Sequence, residues 1–118
     1  MVIDDVLEIS LLYDFYGELL PARQREVLSL YYEENLSLSE IAEEFGISRQ
    51  GVHDALKNGE KRLNGYEEKL GLVRRFSDTR DAINDIDSQI EKLIDENSDN
   101  VELAESLKEI RRHIDNME

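Results

Sequence analysis

Apolar residues recur in steps of three and four along most of the chain, which is the spacing of amphipathic helices. Residues 2–20 carry one such stripe and predict a first helix. The members of this stripe are Ile3, Val6, Leu7, Leu11, Leu12, Phe15 and Leu19. Tyr13 and Tyr16 lie near the stripe, and we expect both rings to pack in the core rather than to contact phosphate.

A second helix is predicted from Ala22 to about Glu34. Pro21 suits its first turn, where a missing N–H group has no intrahelical partner to lose. The residues expected inside this helix or at its edge are Val27, Leu28, Tyr31 and Tyr32. The first 36 residues therefore predict two helices that need further helices to cover their apolar sides.

The segment from Ser37 to Leu63 predicts a helix, a short turn and a second helix. Ser37 can cap the first of these helices while Glu40 returns the hydrogen bond, which together form a capping box. Gly46 suits the positive φ angle that often follows a helix, and Ser48 can cap the next one. This is the pattern of a helix-turn-helix motif, whose second helix can lie in the major groove of DNA.

The two helices of the motif have separate apolar and polar faces. The residues expected to face inward are Ile41, Ala42, Phe45, Ile47, Val52, Ala55, Leu56 and Leu63. The candidate nucleic-acid-binding residues on the polar face are Arg49, Gln50, His53, Lys57, Lys61 and Arg62. Arginine pairs well with guanine and glutamine with adenine, whereas the lysines further along the helix would reach phosphate. The alternative is a solvated face of an amphipathic helix, with Asp54 and Glu60 interrupting its positive charge.

Beyond Gly71 the hydrophobic pattern changes to heptads. Gly65 and Gly71 are weak points of the preceding helix, but neither is expected to break it. One seam, apolar except for Thr79, consists of Leu72, Phe76, Thr79, Ile83, Ile86, Ile90 and Leu93, and a second of Leu103, Leu107, Ile110, Ile114 and Met117. The polar run from Glu96 to Asn100 separates them and offers Ser98, Asp99 or Asn100 as a cap, so the pattern predicts an αα-hairpin.

These elements together predict an all-α fold in two parts. Residues 1–71 would form the helix-turn-helix domain, a bundle of four helices. Residues 72–118 would form a C-terminal, coiled-coil-like helical arm, which packs on the first domain or on a second copy of the chain. A lone hairpin of this size has a marginal core, and we therefore favour self-association into a homo-oligomer.

Charge complicates a nucleic-acid-binding function. The chain has 14 Lys and Arg against 28 Asp and Glu, a net charge of −14 that by itself repels nucleic acid and acidic lipid. The charge is unevenly spread, with −5 over residues 1–20, −2 over residues 21–65 and −7 over residues 66–118. The helix-turn-helix region is therefore the least acidic part of the chain, although it is not basic.

Several classes of protein are not supported by the sequence. The absence of cysteine excludes disulfides and thiolate metal sites, and we expect a cytoplasmic protein. No apolar run approaches the roughly 18 residues of a membrane span, so no membrane association is expected. The two histidines, His53 and His113, lie in different segments, and although Glu109 and Asp115 are near His113, neither histidine has a Cys or second His at ligand spacing. Neither a glycine-rich phosphate loop nor a serine nucleophile motif occurs. We therefore expect no metal, no cofactor and no enzymatic activity.

The residues of the motif resemble region 4 of bacterial sigma-70-type factors. The matching segment is LSLSEIAEEFGISRQGVHDALKNGEKRL, with the same capped helix, turn and long following helix. The resemblance implies that Arg49, Gln50 and His53 occupy positions that contact promoter DNA in that family, although the residue types differ in part. The fold expected for residues 1–71 is thus sigma-70 region 4-like.

A closer resemblance, over about residues 12–72, is to the YlxM family of small bacterial proteins with a sigma-region-4-like fold. The residues at that family's characteristic positions are Tyr13, Gln24, Leu28, Tyr31, Tyr32, Leu36, Ser37, Glu40, Ile41, Ala42, Ser48, Arg49, Gln50, Asp54, Tyr66, Glu67 and Lys69. The family is linked to the signal recognition particle pathway because its genes neighbour those of the particle's GTPase and its receptor. The resemblance therefore implies a pathway and a fold, and no reaction.

Two functional hypotheses follow. The first is a non-enzymatic regulatory protein of that pathway that binds DNA or the particle's RNA through the polar face of the motif. The second is a protein-interaction scaffold whose acidic surface binds a basic component, such as the particle's protein subunit. A weaker third hypothesis is an anti-sigma-like or sigma-mimicking role through the same fold.

Overall fold

A computed structural model describes residues 2–117, with side chains from Val6 onward, and all regular elements among these residues are helical. The helices are α1 (Val2–Tyr16), α2 (Ala22–Leu28), α3 (Leu38–Phe45), α4 (Arg49–Leu70), α5 (Leu72–Glu96) and α6 (Val101–Asp115). The predicted all-α fold is confirmed. The chain divides into two compact units, Met1–Val73 and Arg74–Glu118. The predicted position of Ile3 in an apolar stripe lies outside the described side chains.

The start signals of α3 and α4 are formed as the sequence predicts. Glu40 N donates to Ser37 Oγ over 3.1 Å, while Ser37 N donates to Glu40 Oε1 over 3.0 Å, which completes the capping box. Gly46 ends α3 with φ of 65°, a left-handed conformation that side chains disfavour. Gly51 N then donates to Ser48 Oγ over 3.0 Å at the start of α4. Local hydrogen bonds therefore fix the turn between the two helices.

The core of the first unit lies along α4, against which α1, α2 and α3 all pack. Its buried residues are Leu12, Tyr16, Leu20, Val27, Leu28, Ile41, Ala42, Val52, Leu56 and Leu63. Partly buried apolar residues around it include Tyr31, Tyr32, Phe45, Ile47 and Ala55. The predicted inward residues of α2, α3 and α4 are thus all in or against the core.

The apolar stripe predicted for α1 was partly wrong. Leu12 and Tyr16 are buried, but Leu7 and Leu19 of the predicted stripe are 63% and 58% exposed. The reason is that α1 has apolar residues on more than one side, so helical spacing fits two faces equally well. Packing against α4 selects the face that carries Leu12 and Tyr16.

Two helix ends also differ from the predictions. The helix that contains the polar face continues through Gly65 but stops at Leu70, because Gly71 adopts a left-handed φ of 62°. Gly71 therefore breaks the helix, contrary to the prediction. The second helix leaves the α-helical pattern after Leu28 and closes with a π-helical turn over Ser29–Glu33. Asn35 follows with φ of 58°, one of the few non-glycine residues for which this conformation is common.

The second unit contains α6 and all but the first two residues of α5, joined by the four residues 97–100. Of the three predicted caps, Asn100 is the one used, since its Oδ1 atom accepts from Leu103 N over 3.1 Å. The predicted seams are only partly buried. Ile83, Ile90 and Leu107 are buried, whereas Phe76, Ile86, Leu93, Leu103, Ile110 and Met117 are exposed.

Candidate nucleic-acid interface

The candidate interface is the exposed side of α4, which begins directly after the Ser48 cap. Because Val52 and Leu56 are buried against the rest of the bundle, the residues on other sides of the helix face solvent. All six predicted binding residues are exposed: Arg49, Gln50, His53, Lys57, Lys61 and Arg62. The bundle thus presents the polar side of α4 without covering it with its own core residues.

The six residues do not form one group. Arg49, His53 and Lys57 are spaced four residues apart, so they lie on successive turns of one side of the helix. Arg49, Gln50 and His53 share a shallow groove with Leu38 of α3. Arg62 follows His53 by nine residues, which places it about 180° around the helix. It lines a different groove, together with Lys61, Asn58 and Gln24.

Asp54 engages two of the predicted base-reading residues. Gln50 Nε2 donates to Asp54 Oδ1 over 3.0 Å, and His53 Nδ1 lies 3.8 Å from the same oxygen. A base edge that binds Gln50 must therefore compete with this carboxylate. Asp54 is also a negative charge beside the position where DNA phosphates would lie, so it opposes nucleic-acid binding in two ways.

A second acid holds Lys57. Its ammonium group lies 3.9 Å from Glu60 Oε2, and Glu60 Oε1 accepts from the Tyr32 hydroxyl over 3.1 Å. The Glu60 side chain is only 16% exposed, whereas that of Lys57 is 63% exposed. Lys57 thus lies near an acid on one side, and its exposed ammonium group remains available to a phosphate.

Sequence reasoning missed two residues of this interface. Leu38 is the first residue of α3 and lines the groove with Arg49 and His53. In the sequence, Leu38 stands out only as an apolar residue that directly follows the Ser37 cap and is not among the residues expected to face inward. Tyr32 reaches Glu60 across 28 residues of sequence, and no local pattern indicates that contact.

The local charge of the interface is mixed. Residues 49–62 contain four Lys and Arg against two acids, a net charge of +2 in a chain of −14. The neighbouring helix α3 contains three acids, Glu40, Glu43 and Glu44, and no base. A nucleic acid bound on α4 would therefore be attracted by the basic residues of α4 and repelled by the acids of α3. The affinity of such a complex would depend strongly on salt.

The described residues provide neither a metal site nor a membrane-spanning helix. No group of three or more His, Cys, Asp and Glu side chains in that part of the chain is placed to hold a metal ion. None of the described helices combines the length and the apolar character that crossing a membrane requires.

Comparison with known proteins identifies one family. A family model described as "Putative helix-turn-helix protein, YlxM / p13 like" and called UPF0122 matches residues 3–110. A UPF0122 protein of Thermoanaerobacter sp. (strain X514) is 45% identical over 114 residues, which cover 97% of each chain. One from Acetivibrio thermocellus is 47% identical over 112 residues, 95% of each chain. A third, from Listeria innocua, is 43% identical over 84 residues, 71% of this chain and 76% of the relative.

Proposed function

Since this chain belongs to the UPF0122 family of helix-turn-helix proteins, we propose that it is a non-enzymatic regulatory protein that binds DNA through α4. The observation that carries this proposal is the exposed N-terminal part of α4. There the Ser48 cap and the turn at Gly46 set the start of the helix, and Arg49, Gln50 and His53 all face solvent. In helix-turn-helix proteins this part of the second helix contacts base edges.

The residues have separate roles in the proposed complex. Arg49 and Gln50 read bases, because their side chains can form paired hydrogen bonds with guanine and adenine respectively. His53 donates to a base edge or a phosphate. Lys57 and Lys61 contact phosphates, which provide affinity and orientation but no sequence information. Arg62 extends the phosphate contacts on the other side of the helix.

The test is a binding titration followed by fluorescence anisotropy. DNA is first selected from a randomised pool by the full chain, and the selected duplex is then titrated at about 50 and about 150 mM salt. The proposal predicts binding at the lower salt and a loss of affinity at the higher salt, because each phosphate contact releases counterions. Absence of binding at both concentrations would contradict it.

A matched pair of variants shows whether α4 is the surface used. Lys57→Ala combined with Lys61→Ala removes two positive charges from the interface. Lys92→Ala combined with Lys108→Ala removes the same charge from α5 and α6. The first variant should weaken binding and the second should not. Equal weakening by both would mean that only the net charge matters, which would contradict a specific interface on α4.

The pathway and the nucleic acid are further parts of this proposal. We place the protein in the signal recognition particle pathway on the basis of its resemblance to the YlxM proteins, and the RNA of that particle is the alternative nucleic acid. A parallel titration with that RNA separates the two ligands. We also propose that the protein acts in the cytoplasm, which agrees with a chain that contains no cysteine.

A second candidate function is supported by the acidity of the chain. A net charge of −14 would steer a basic protein towards this one, and the particle's protein subunit is a partner of that kind. In this function the chain is a scaffold and the polar side of α4 binds nothing. Capture of that subunit without RNA, lost when residues 72–118 are deleted, would favour the scaffold over the nucleic-acid-binding protein.

A further inference from the structure

The heptad seam of α5 divides into two columns with different exposure. Phe76, Ile83 and Ile90 are spaced seven residues apart, and the last two are buried. The other column also repeats every seven residues, and all of its members are exposed. It consists of Leu72, Thr79, Ile86 and Leu93. Phe76 is 41% exposed, so the first column is covered within the chain from Ile83 onward, whereas every member of the neighbouring column faces solvent.

Helix α6 shows the same division. Leu107 is buried and Ile114, seven residues later, is half-buried. Leu103, Ile110 and Met117 form the second column at the same spacing and are 38%, 49% and 74% exposed. Each helix therefore has one column with buried residues and one solvent-facing column, which is apolar except for Thr79.

This division is what half of a four-helix bundle requires. In such a bundle every helix contacts two neighbours, so one apolar column packs within the hairpin and the other packs against a second hairpin. A two-helix hairpin alone has no partner for the second column. We propose that the partner is the same hairpin of a second copy of this chain, arranged antiparallel, so that two chains form a four-helix bundle.

The charges of the hairpin favour a second copy in this orientation. Residues 85–105, the half that contains the connecting turn, have eight acids and one base, a net charge of −7. Residues 74–84 and 106–118, the half at the open end, have six bases and five acids, a net charge of +1. The single base of the acidic half, Lys92, already lies 3.9 Å from Glu96. A parallel pair would place the two acidic halves side by side, whereas an antiparallel pair places each beside the less acidic half.

The oligomeric state of the full chain tests the proposal. Sedimentation equilibrium over about 1 μM to 1 mM should give twice the chain mass of 13.7 kDa. Ile86→Glu and Ile110→Glu place a charge in the exposed column of α5 and of α6 respectively. Both variants should sediment as monomers and retain the helical circular dichroism of the wild type. The control is Ser88→Glu, which adds the same charge to an exposed position on roughly the opposite side of α5 from Ile86.

A wild-type monomer throughout this range would overturn the proposal. A dimer that survives both isoleucine substitutions would also overturn it, since the interface would then lie elsewhere. Dissociation of the Ser88→Glu variant would show that added charge on any side of α5 separates the two copies. It would therefore contradict the exposed columns as the interface between them. None of these outcomes bears on DNA binding by α4, which is measured separately.

The orientation is tested by a distance between the two copies. The chain contains no cysteine, so a spin label on Ser98→Cys is unique. An antiparallel pair that crosses near Ile86 places the two labels about 35 Å apart, because the 12 residues from position 86 to 98 span about 18 Å of helix in each copy. A distance below about 20 Å by pulsed electron paramagnetic resonance would indicate a parallel pair and would overturn the antiparallel arrangement.

Discussion

The hydroxyl group of Tyr16 in α1 donates a hydrogen bond to Glu67 Oε1 in α4 over 2.7 Å. The same hydroxyl oxygen accepts from Leu72 N over 3.1 Å, and Val73 N donates to the same carboxylate oxygen over 3.0 Å. The first N–H groups of a helix have no partner within it. Tyr16 and Glu67 therefore satisfy the start of α5, the role that a serine or asparagine side chain usually has.

Removal of the Tyr16 hydroxyl should lower stability at neutral pH and reduce the loss of stability at alkaline pH. Burial, followed by the hydrogen bond to Glu67, raises the pKa of Tyr16 above its ordinary value of 10.0. A raised pKa means that the folded chain holds the proton more tightly, so this stabilisation is full below pH 10.0 and is lost as the pH rises through the pKa of the folded state. Tyr16→Phe should lower the melting temperature at pH 7. The variant should also lack the part of the alkaline loss of stability that comes from ionisation of Tyr16.

Tyr66→Phe is the control for this measurement, since the Tyr66 hydroxyl donates to a backbone oxygen, that of Leu19, rather than to a carboxylate. Thermal unfolding followed by circular dichroism between pH 7 and 11 compares both variants with the wild type. An alkaline loss of the same size in Tyr16→Phe and in the wild type would contradict the prediction.

The capping box of α3 should stabilise the chain near neutral pH and lose this contribution in acid. Hydrogen bonds from the backbone and side chain of Ser37 lower the pKa of Glu40 below its ordinary value of 4.5. This stabilisation is present above pH 4.5 and is lost as the pH falls through the pKa of the folded state. Glu40→Gln keeps a capping side chain but cannot titrate, so its stability should fall less steeply below that pH. Urea unfolding between pH 3 and 7 measures this, with exposed Glu43→Gln as the control that should retain the wild-type slope.

Two glycines of α4 should respond in opposite directions to alanine. A Cβ atom on Gly59 would lie 2.6 Å from Leu28 Cδ1, a buried side chain with little room to move. Gly59→Ala should therefore destabilise the chain by about 1–2 kcal/mol, because the overpacking exceeds the gain in helix propensity. A Cβ atom on Gly65 would meet nothing within 4 Å, so Gly65→Ala should stabilise by about 0.5–1 kcal/mol. Denaturant unfolding compares the two, and the same sign for both would contradict the packing argument.

Neutralising Asp54 should strengthen DNA binding if α4 is the interface. Asp54→Asn removes a negative charge from the exposed side of α4 and weakens the hold on Gln50. The expected gain is about 1 kcal/mol, or roughly a fivefold lower Kd. Asp85→Asn makes the same change of charge in α5 and should leave the Kd unaltered. Unchanged or weaker binding by Asp54→Asn in the anisotropy titration would contradict the placement of the interface.

Arg49→Ala should reduce sequence discrimination, since the proposed contact is a paired hydrogen bond to one base. The expected cost is about 1–3 kcal/mol for the preferred base and little for the other three at that position. Lys61→Ala should instead weaken binding to all sequences alike and reduce the salt slope by about one. Competition titrations with duplexes altered at single positions separate the two patterns. An equal loss of affinity for all duplexes in Arg49→Ala would mean that Arg49 contacts phosphate rather than a base.

Much of the fold could be predicted because the residues that start and end its helices lie close together in the sequence. The Ser37–Glu40 box, the left-handed Gly46 and the Ser48 cap each depend on residues within three positions of one another. Helical spacing also identified the buried side of α4, since that helix has only one apolar side. The face of α1 could not be chosen from spacing, because that choice depends on which side meets α4.

Contacts between distant residues account for what the sequence did not reveal. Tyr16 and Glu67 are 51 positions apart, and neither residue type indicates that the pair satisfies another helix. For the candidate site, the solvated side of α4 followed from its pattern, and the opposing charges of Asp54 and Glu60 were visible as well. Which donors those acids engage depends on side-chain geometry, which spacing alone does not give.

The separation between Tyr16 and Glu67 has a consequence for the order of assembly. Closing a loop of that length carries an entropic cost that the three-residue contacts at Ser37 and Ser48 do not. We therefore expect the helix-turn-helix corner to form before α1 docks on α4. During synthesis α1 emerges before α4, so its apolar residues stay uncovered until α4 has been made.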